Sequence, residues 1–177
     1  MNKKLYSFII NKEHHKYRHT TYGKLEEEYS ALRISPIERM ADRFERMCDE
    51  EKAVILEGEQ IVMLRTVANL PDIFTEKEWE EIMSKYYIHE LGFMSNLSPN
   101  YYDTIASGLL EKRLTADEYG KRAIDNIIKL CDKYLEEAKK QGREDLVEIF
   151  TQIPRYPARN FREALQFFRI LHFSLWL

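Results

Sequence analysis

The chain has 177 residues, 32% of them charged and 44% hydrophobic, with a formal charge of −3 and a sequence pI near 6.0. Those fractions exclude collagen-like, disordered and disulfide-scaffold classes, and the mild acidity lacks the basic footprint that neutralises nucleic-acid phosphates. Six Gly and five Pro leave little material for turns, so a mainly α chain is predicted, in one domain over residues 21–177 behind an N-terminal extension at 1–20.

In the extension, the apolar run from Leu5 to Ile10 is interrupted by Ser7 and no small-residue cleavage site follows, so no signal peptide is read. His14, His15 and His19 include an i, i+4 pair that could chelate a metal on a helix, but no third ligand is fixed nearby, and a solvated polar segment is the expectation. Glu26, Glu27 and Glu28 read as an exposed helix face. The two cysteines, Cys48 and Cys131, have neither disulfide-framework nor zinc-ligand spacing and fit apolar stripes, which points to a reducing cytoplasm.

Capping boxes mark four helix starts. Ser35-Pro36-Ile37-Glu38 opens a helix with Ile37, Met40, Ala41, Phe44, Met47 and Cys48 on one buried stripe. Residues 54–65 then read as a short hairpin or extended connector around Glu57-Gly58-Glu59. Thr75 to Glu78 opens a helix that turns Trp79, Ile82 and Met83 inward. Ser98-Pro99 starts another, through Tyr102, Ile105 and Leu109. Thr115 to Glu118 opens a long helix stopped at Gln141-Gly142. Pro154 and Pro157 require an extended stretch at 153–159. Asn160 caps the last helix, in which eleven of 17 residues are Ala, Phe, Leu, Ile or Trp on nearly every face, the pattern of a helix buried all round. Arg162, Glu163, Arg169 and His172 argue against a membrane span.

No glycine-rich phosphate loop, G-x-S-x-G elbow or H-E-x-x-H occurs. The polar stretch from Tyr87 to Tyr101 gathers His89, Glu90, Ser95, Asn96, Ser98 and Asn100 before a helix N-terminus, where side chains and free N–H groups can converge on a ligand.

Three segments in the same order resemble the glycyl radical enzymes of the pyruvate formate-lyase and glycerol dehydratase type. Ile153-Pro154-Arg155-Tyr156-Pro157-Ala158-Arg159-Asn160-Phe161-Arg162-Glu163-Ala164-Leu165-Gln166 is similar to the family's P-A-x-(T/N)-F-x-E-A-L-Q segment leading into an apolar helix. Ser35 to Arg39, with Ile55 to Arg65, resembles the N-terminal helix followed by an extended D-E-x-I-V segment. Asn96 to Tyr101 resembles the H-x-x-P-D-Y loop, with Asn96 where many relatives have His and Asn100 where they have Asp.

The resemblance spans about residues 30–177 and implies the helical N-terminal segment of a larger α/β-barrel enzyme, cytoplasmic and homodimeric when complete. Such an enzyme carries a glycyl radical installed by an iron–sulfur activating enzyme that uses S-adenosylmethionine. A cysteine thiyl then abstracts hydrogen or attacks substrate carbon, giving C–C cleavage, as in formate C-acetyltransferase, or a dehydratase-type elimination. Neither Cys48 nor Cys131 matches the cysteine loop, and none of the six glycines sits in a sequence like the glycyl loop. No catalytic or metal-binding residue is therefore assigned; His89, Ser95, Asn96 and His172 are the candidates to face substrate, and the segment alone is expected to be inactive. The final helix carries no polar tail, so it is expected to associate, either with the remainder of the enzyme or, as a noncatalytic interaction module, with another partner.

Overall fold

The computed structural model describes residues 3–86 and 99–175. It is mainly helical, with no sheet among the described residues. The elements are α1 (Lys3–Ile10), a 3-10 turn (Glu13–Tyr17), α2 (Glu26–Ala31), α3 (Pro36–Glu50), α4 (Glu76–Tyr86), α5 (Tyr101–Ser107), α6 (Leu109–Thr115), α7 (Glu118–Lys140), α8 (Glu144–Gln152) and α9 (Phe161–Ser174). Residues 87–98 of the polar stretch lie outside the described residues.

The 23-residue α7 is the spine, packed against α3 and α8. Its Leu130, Cys131, Tyr134 and Ala138 meet Met47 and Cys48 of α3, Leu146 and Phe150 of α8, Phe167 and Ile170 of α9, and Val62, Met63 and Val67 of the connector in one core. A ladder of charge reinforces the α3–α7 seam: Arg122 donates to Glu38, Asp42 and Glu45 at 2.6 to 2.8 Å, and Asp42 also accepts from the Tyr29 hydroxyl. Both thiols are sealed in this core, and burial pushes Cys48 up to about 12 and raises Cys131 as well.

Helix α7 stops as its sequence predicts. The N–H of Arg143 donates to Ala138 C=O and that of Gly142 to Lys139 C=O, a Schellman arrangement made accessible by φ +66° at Gly142. Its start is a correction: Asp117, not Thr115, caps it by accepting from Gly120 N–H at 2.7 Å, while Thr115 ends α6. The Ser35, Thr75 and Asn160 caps are present, each side chain accepting from the N–H of a Glu three residues on. Helix α8 carried no capping box and was not anticipated.

Packing decides three further expectations. On α3, Met47 and Cys48 are buried, but Ile37 and Met40 are 51% and 53% exposed, because the buried residue of the first turns is Arg39. Residues 54–65 take the extended of the two forms expected, without a hairpin, around a turn at Glu57-Gly58. The expected single helix from Ser98 through Leu109 is capped by Asn100 and breaks at Gly108 into α5 and α6.

Gly108 makes that break because the chain beyond α8 passes over it. The Ile153-Pro154-Arg155 stretch is a turn that the chain enters with Ile153 extended, and no helix forms again before Phe161. Its carbonyls receive the first N–H groups of α6: Leu109 donates to Pro154 and Leu110 to Arg155. A Cβ at Gly108 would lie 2.5 Å from Arg155 O and 2.7 Å from Tyr156 Cα, and φ is +84°. Gly108→Ala is therefore expected to cost at least about 2 kcal/mol in urea denaturation. Gly142→Ala, which meets nothing within 4 Å, isolates the backbone strain alone, at about 1 to 2 kcal/mol.

A second, smaller cluster of Leu25, Tyr29, Ile73 and Phe74, backed by Ile34, Trp79 and Ile82, holds α2 and α4. Arg39 enters it as a fully engaged cation. It donates to Ile34 and Ile73 carbonyls, forms a two-pronged pair with Glu78 at 2.9 Å, and lies over the Phe74 ring. Hydrogen bonds from Arg39, ahead of those from Thr75, hold the Glu78 carboxyl down at about 2. Because the folded-state value is depressed, this stabilisation is complete above the ordinary Glu range and is lost as pH falls from about 4.5 toward 2. Urea midpoints measured across that window should fall more steeply for the wild type than for Glu78→Gln, which should be the less stable of the two at neutral pH.

Candidate functional site

Apart from a backbone bridge to His19 at Thr66 and Val67, the connector from Glu51 to Val67 carries backbone donors and acceptors into the core without a neighbouring strand, and side chains take their place. Gln166 of α9, fully buried, accepts from Val62 N–H at 2.8 Å and donates to Val62 C=O at 3.0 Å. Its amide thus copies the donor and acceptor pair that a β-strand would present. Glu51, 2% exposed, accepts from the Thr66 N–H and hydroxyl and, at 3.4 Å, from Val67 N–H. Arg143 donates to Glu59 C=O, Arg169 to Met63 C=O and the Tyr134 hydroxyl to Leu64 C=O. Met63 is held at φ +115°, a conformation costing about 1 to 3 kcal/mol for a residue with a Cβ. The bonds on Val62 and Met63 hold it there.

The segment ending in Gln166 is ordered by the same logic. Asn160 caps α9, while Glu163, 2% exposed, turns back to accept from the Arg159 N–H and guanidinium. Burial raises the Glu163 carboxyl, and the Arg159 and Asn160 hydrogen bonds more than offset it, so its net shift is downward. Ala158 N–H donates to Ile105 C=O, which brings α5 alongside α9.

Of the four residues expected to face substrate, His89, Ser95 and Asn96 lie outside the described residues. His172 is on α9 beside Tyr101, with the Tyr101 hydroxyl 3.2 Å from His172 Nδ1. The Phe168 ring stacks on His172 and tilts against Tyr101 at 4.7 Å, so the three rings form one aromatic surface. Around it, Phe161 is 82% exposed, Leu165 41% and Phe168 40%. The expectation of a final helix buried on every side is therefore corrected: α9 buries Glu163, Gln166, Phe167, Ile170 and Phe173 and leaves its other apolar face open.

The histidine pair in the extension does not share a helical face. The 3-10 turn ends at Tyr17 and Arg18 is extended, so His19 leaves along a short parallel bridge to Val67. Among the described residues no three His, Cys, Asp or Glu side chains are grouped to hold a metal, and no helix is long and apolar enough to cross a membrane.

Sequence reasoning missed the roles of Gln166, Glu51 and Arg169. A signal existed for Gln166, a lone amide at the i+3 position from Glu163 on an apolar helix, but its partner lies 104 residues away. No protein-family model matches the chain, and neither a curated protein nor a solved structure matches it.

Gln166→Leu strips both partners from Val62 inside the core. It should lower stability by about 2 to 4 kcal/mol. Gln166→Glu keeps an acceptor for Val62 N–H and removes the donor to Val62 C=O, and should also destabilise. Equilibrium unfolding of both variants checks this, and a change below about 1 kcal/mol in both would show that the amide clamp is not structural.

Proposed function

We propose that this chain is the N-terminal helical part of a glycyl radical enzyme, a radical C–C lyase or a radical dehydratase, inactive by itself. The observation that carries the reading is the Gln166–Val62 clamp. The two segments whose sequences resemble that family, Ile55 to Arg65 and Ile153 to Gln166, are distant in the chain and meet through a two-way amide contact. Segments carried over from one ancestral scaffold would be expected to depend on each other in this way. The Asn160 cap and the Glu163–Arg159 pair give the remaining polar residues of the second segment structural work.

In this reading the radical-bearing cysteine and glycine are supplied by the remainder of the enzyme. Cys48 and Cys131 are 1% exposed inside the helix core, where no substrate reaches them. The chain's contribution is positional. The Tyr101, Phe168 and His172 surface on α5 and α9, with the His89, Ser95 and Asn96 stretch, would line the approach to substrate. An activating enzyme would install the radical, and the complete enzyme would be a cytoplasmic homodimer.

A second reading is a noncatalytic helical module that docks through α9, and the open face of Phe161, Leu165 and Phe168 favours it. One experiment separates the two. The chain, tagged at its own locus, is purified without oxygen from anaerobic cells and treated with S-adenosylmethionine, reductant and the activating enzyme. The radical-enzyme reading expects a glycyl radical signal in electron paramagnetic resonance, carried by a polypeptide with cysteine and glycine loops. A tight complex with an unrelated protein, and no radical signal, would replace that reading with the second.

A further inference from the structure

Helix α1 contributes to neither core: among the described residues, both apolar clusters begin at or after Leu25. It packs on the 3-10 turn that follows it, where the Phe8 and His14 rings lie 6.0 Å apart. Beyond that turn the chain is gripped by the segment after the connector. His19 N–H donates to Thr66 C=O, the Asn69 side chain bonds both backbone groups of Thr21, and Leu25 N–H donates to Asp72 C=O. The body therefore holds residues 19–25, and α1 lies upstream of that hold.

The sequence of α1 is that of an amphipathic helix. Apolar residues take positions 5, 6, 8, 9 and 10, which at about 100° per residue sweep more than half the circumference, and positions 3, 4 and 7, two Lys and a Ser, fall on the remainder. Tyr6, Ile9 and Ile10 are 52%, 55% and 59% exposed. A helix of eight residues is marginal in water on its own hydrogen bonds, so an uncovered apolar face on one calls for a second surface.

Charge says which surface. Lys3, Lys4, Lys12, Lys16 and Arg18 stand against a single acid, Glu13, over residues 3–18, while the whole chain carries −3, so the rest is more acidic still. Lys12, Lys16 and Arg18 are exposed and form no ion pair among the described residues. A protein groove reads a narrow stripe of anchors and answers individual charges with its own. A bilayer with anionic headgroups takes a broad apolar face and meets scattered cations with a diffuse negative potential.

We propose that α1 and the 3-10 turn form a peripheral anchor that lays the Tyr6, Ile9 and Ile10 face into an anionic lipid surface, with Lys12, Lys16 and Arg18 at the headgroups. The helix lies on the bilayer and does not cross it, since its eight residues reach about 12 Å against a hydrocarbon core of about 30 Å. The acidic remainder is repelled by the same surface, which orients the chain with its extension toward the lipid. The inference does not rest on the radical-enzyme reading, because residues 3–18 precede the segments that carry it.

Flotation of the full chain with vesicles tests this. Vesicles of 70% phosphatidylcholine and 30% phosphatidylserine should carry the chain up the gradient at least about tenfold more tightly than phosphatidylcholine alone, and 0.5 M sodium chloride, about five times an ordinary buffer, should weaken that binding. Ile9→Asp with Ile10→Asp, and separately Lys12→Glu with Lys16→Glu, should each lower it about tenfold or more. These side chains are exposed, so circular dichroism should show both variants folded. Leu114→Asp, at an apolar residue of α6 that is 80% exposed, should leave binding unchanged. No flotation with the anionic vesicles, or equal flotation of the Ile9→Asp, Ile10→Asp variant, would overturn the anchor and leave the face to a protein partner. Equal binding to phosphatidylcholine alone would overturn the anionic assignment.

Discussion

An extended segment that crosses a core without a neighbouring strand must satisfy its N–H and C=O groups one at a time, since a buried unpaired group costs about 1 to 3 kcal/mol. In this protein the burden falls on a few long polar side chains, above all Gln166, which serves both backbone groups of Val62 from the far end of the chain. The rest of the fold is arranged to deliver that amide. Asn160 starts α9 at the right residue, Glu163 and Arg159 fix its first turn, and the Pro154–Arg155 carbonyls dock the preceding turn on α6. A one-residue slip of α9 would move Gln166 around the helix by about 100° and leave Val62 unpaired.

This explains why the elements were legible in the sequence and their packing was not. Caps act within four residues, so Ser35, Thr75 and Asn160 announced themselves, as did the Gly142 stop. Thr115 misled because Asp117, two residues on, is an equally good cap and α6 already occupied Thr115. The connector's β-branched residues suggested a hairpin or an extended connector, and they do adopt extended backbone; what the pattern could not reveal is that the partner would be side chains of helices. Gly108 was equally opaque, because what forbids a Cβ there is the backbone of Arg155 and Tyr156.

Burial calls for the same distinction on α3. Its apolar spacing is regular from Ile37 to Cys48, and the second half is buried as periodicity expects. In the first half a cation displaces the stripe. Arg39 finds two carbonyls, a carboxylate and an aromatic face in one place, and so is buried while Ile37 and Met40 are exposed. A fully engaged guanidinium can be buried where an unpaired one could not. No count of hydrophobic residues carries that information.

Helix α9 joins these threads. Its inner face combines Phe167, Ile170 and Phe173 with two buried polar groups, Glu163 and Gln166, so its rotation is fixed by hydrogen bonds as well as by packing. An apolar helix held by hydrophobic contact alone could turn by one register and still bury comparable area. This one cannot, because turning it would strand the connector. With its inner face fixed, its other face holds Phe168 and His172 in a set direction beside Tyr101, although that face is half open. A surface built to meet substrate or a partner needs that kind of orientation, and here it is supplied from the opposite side of the same helix.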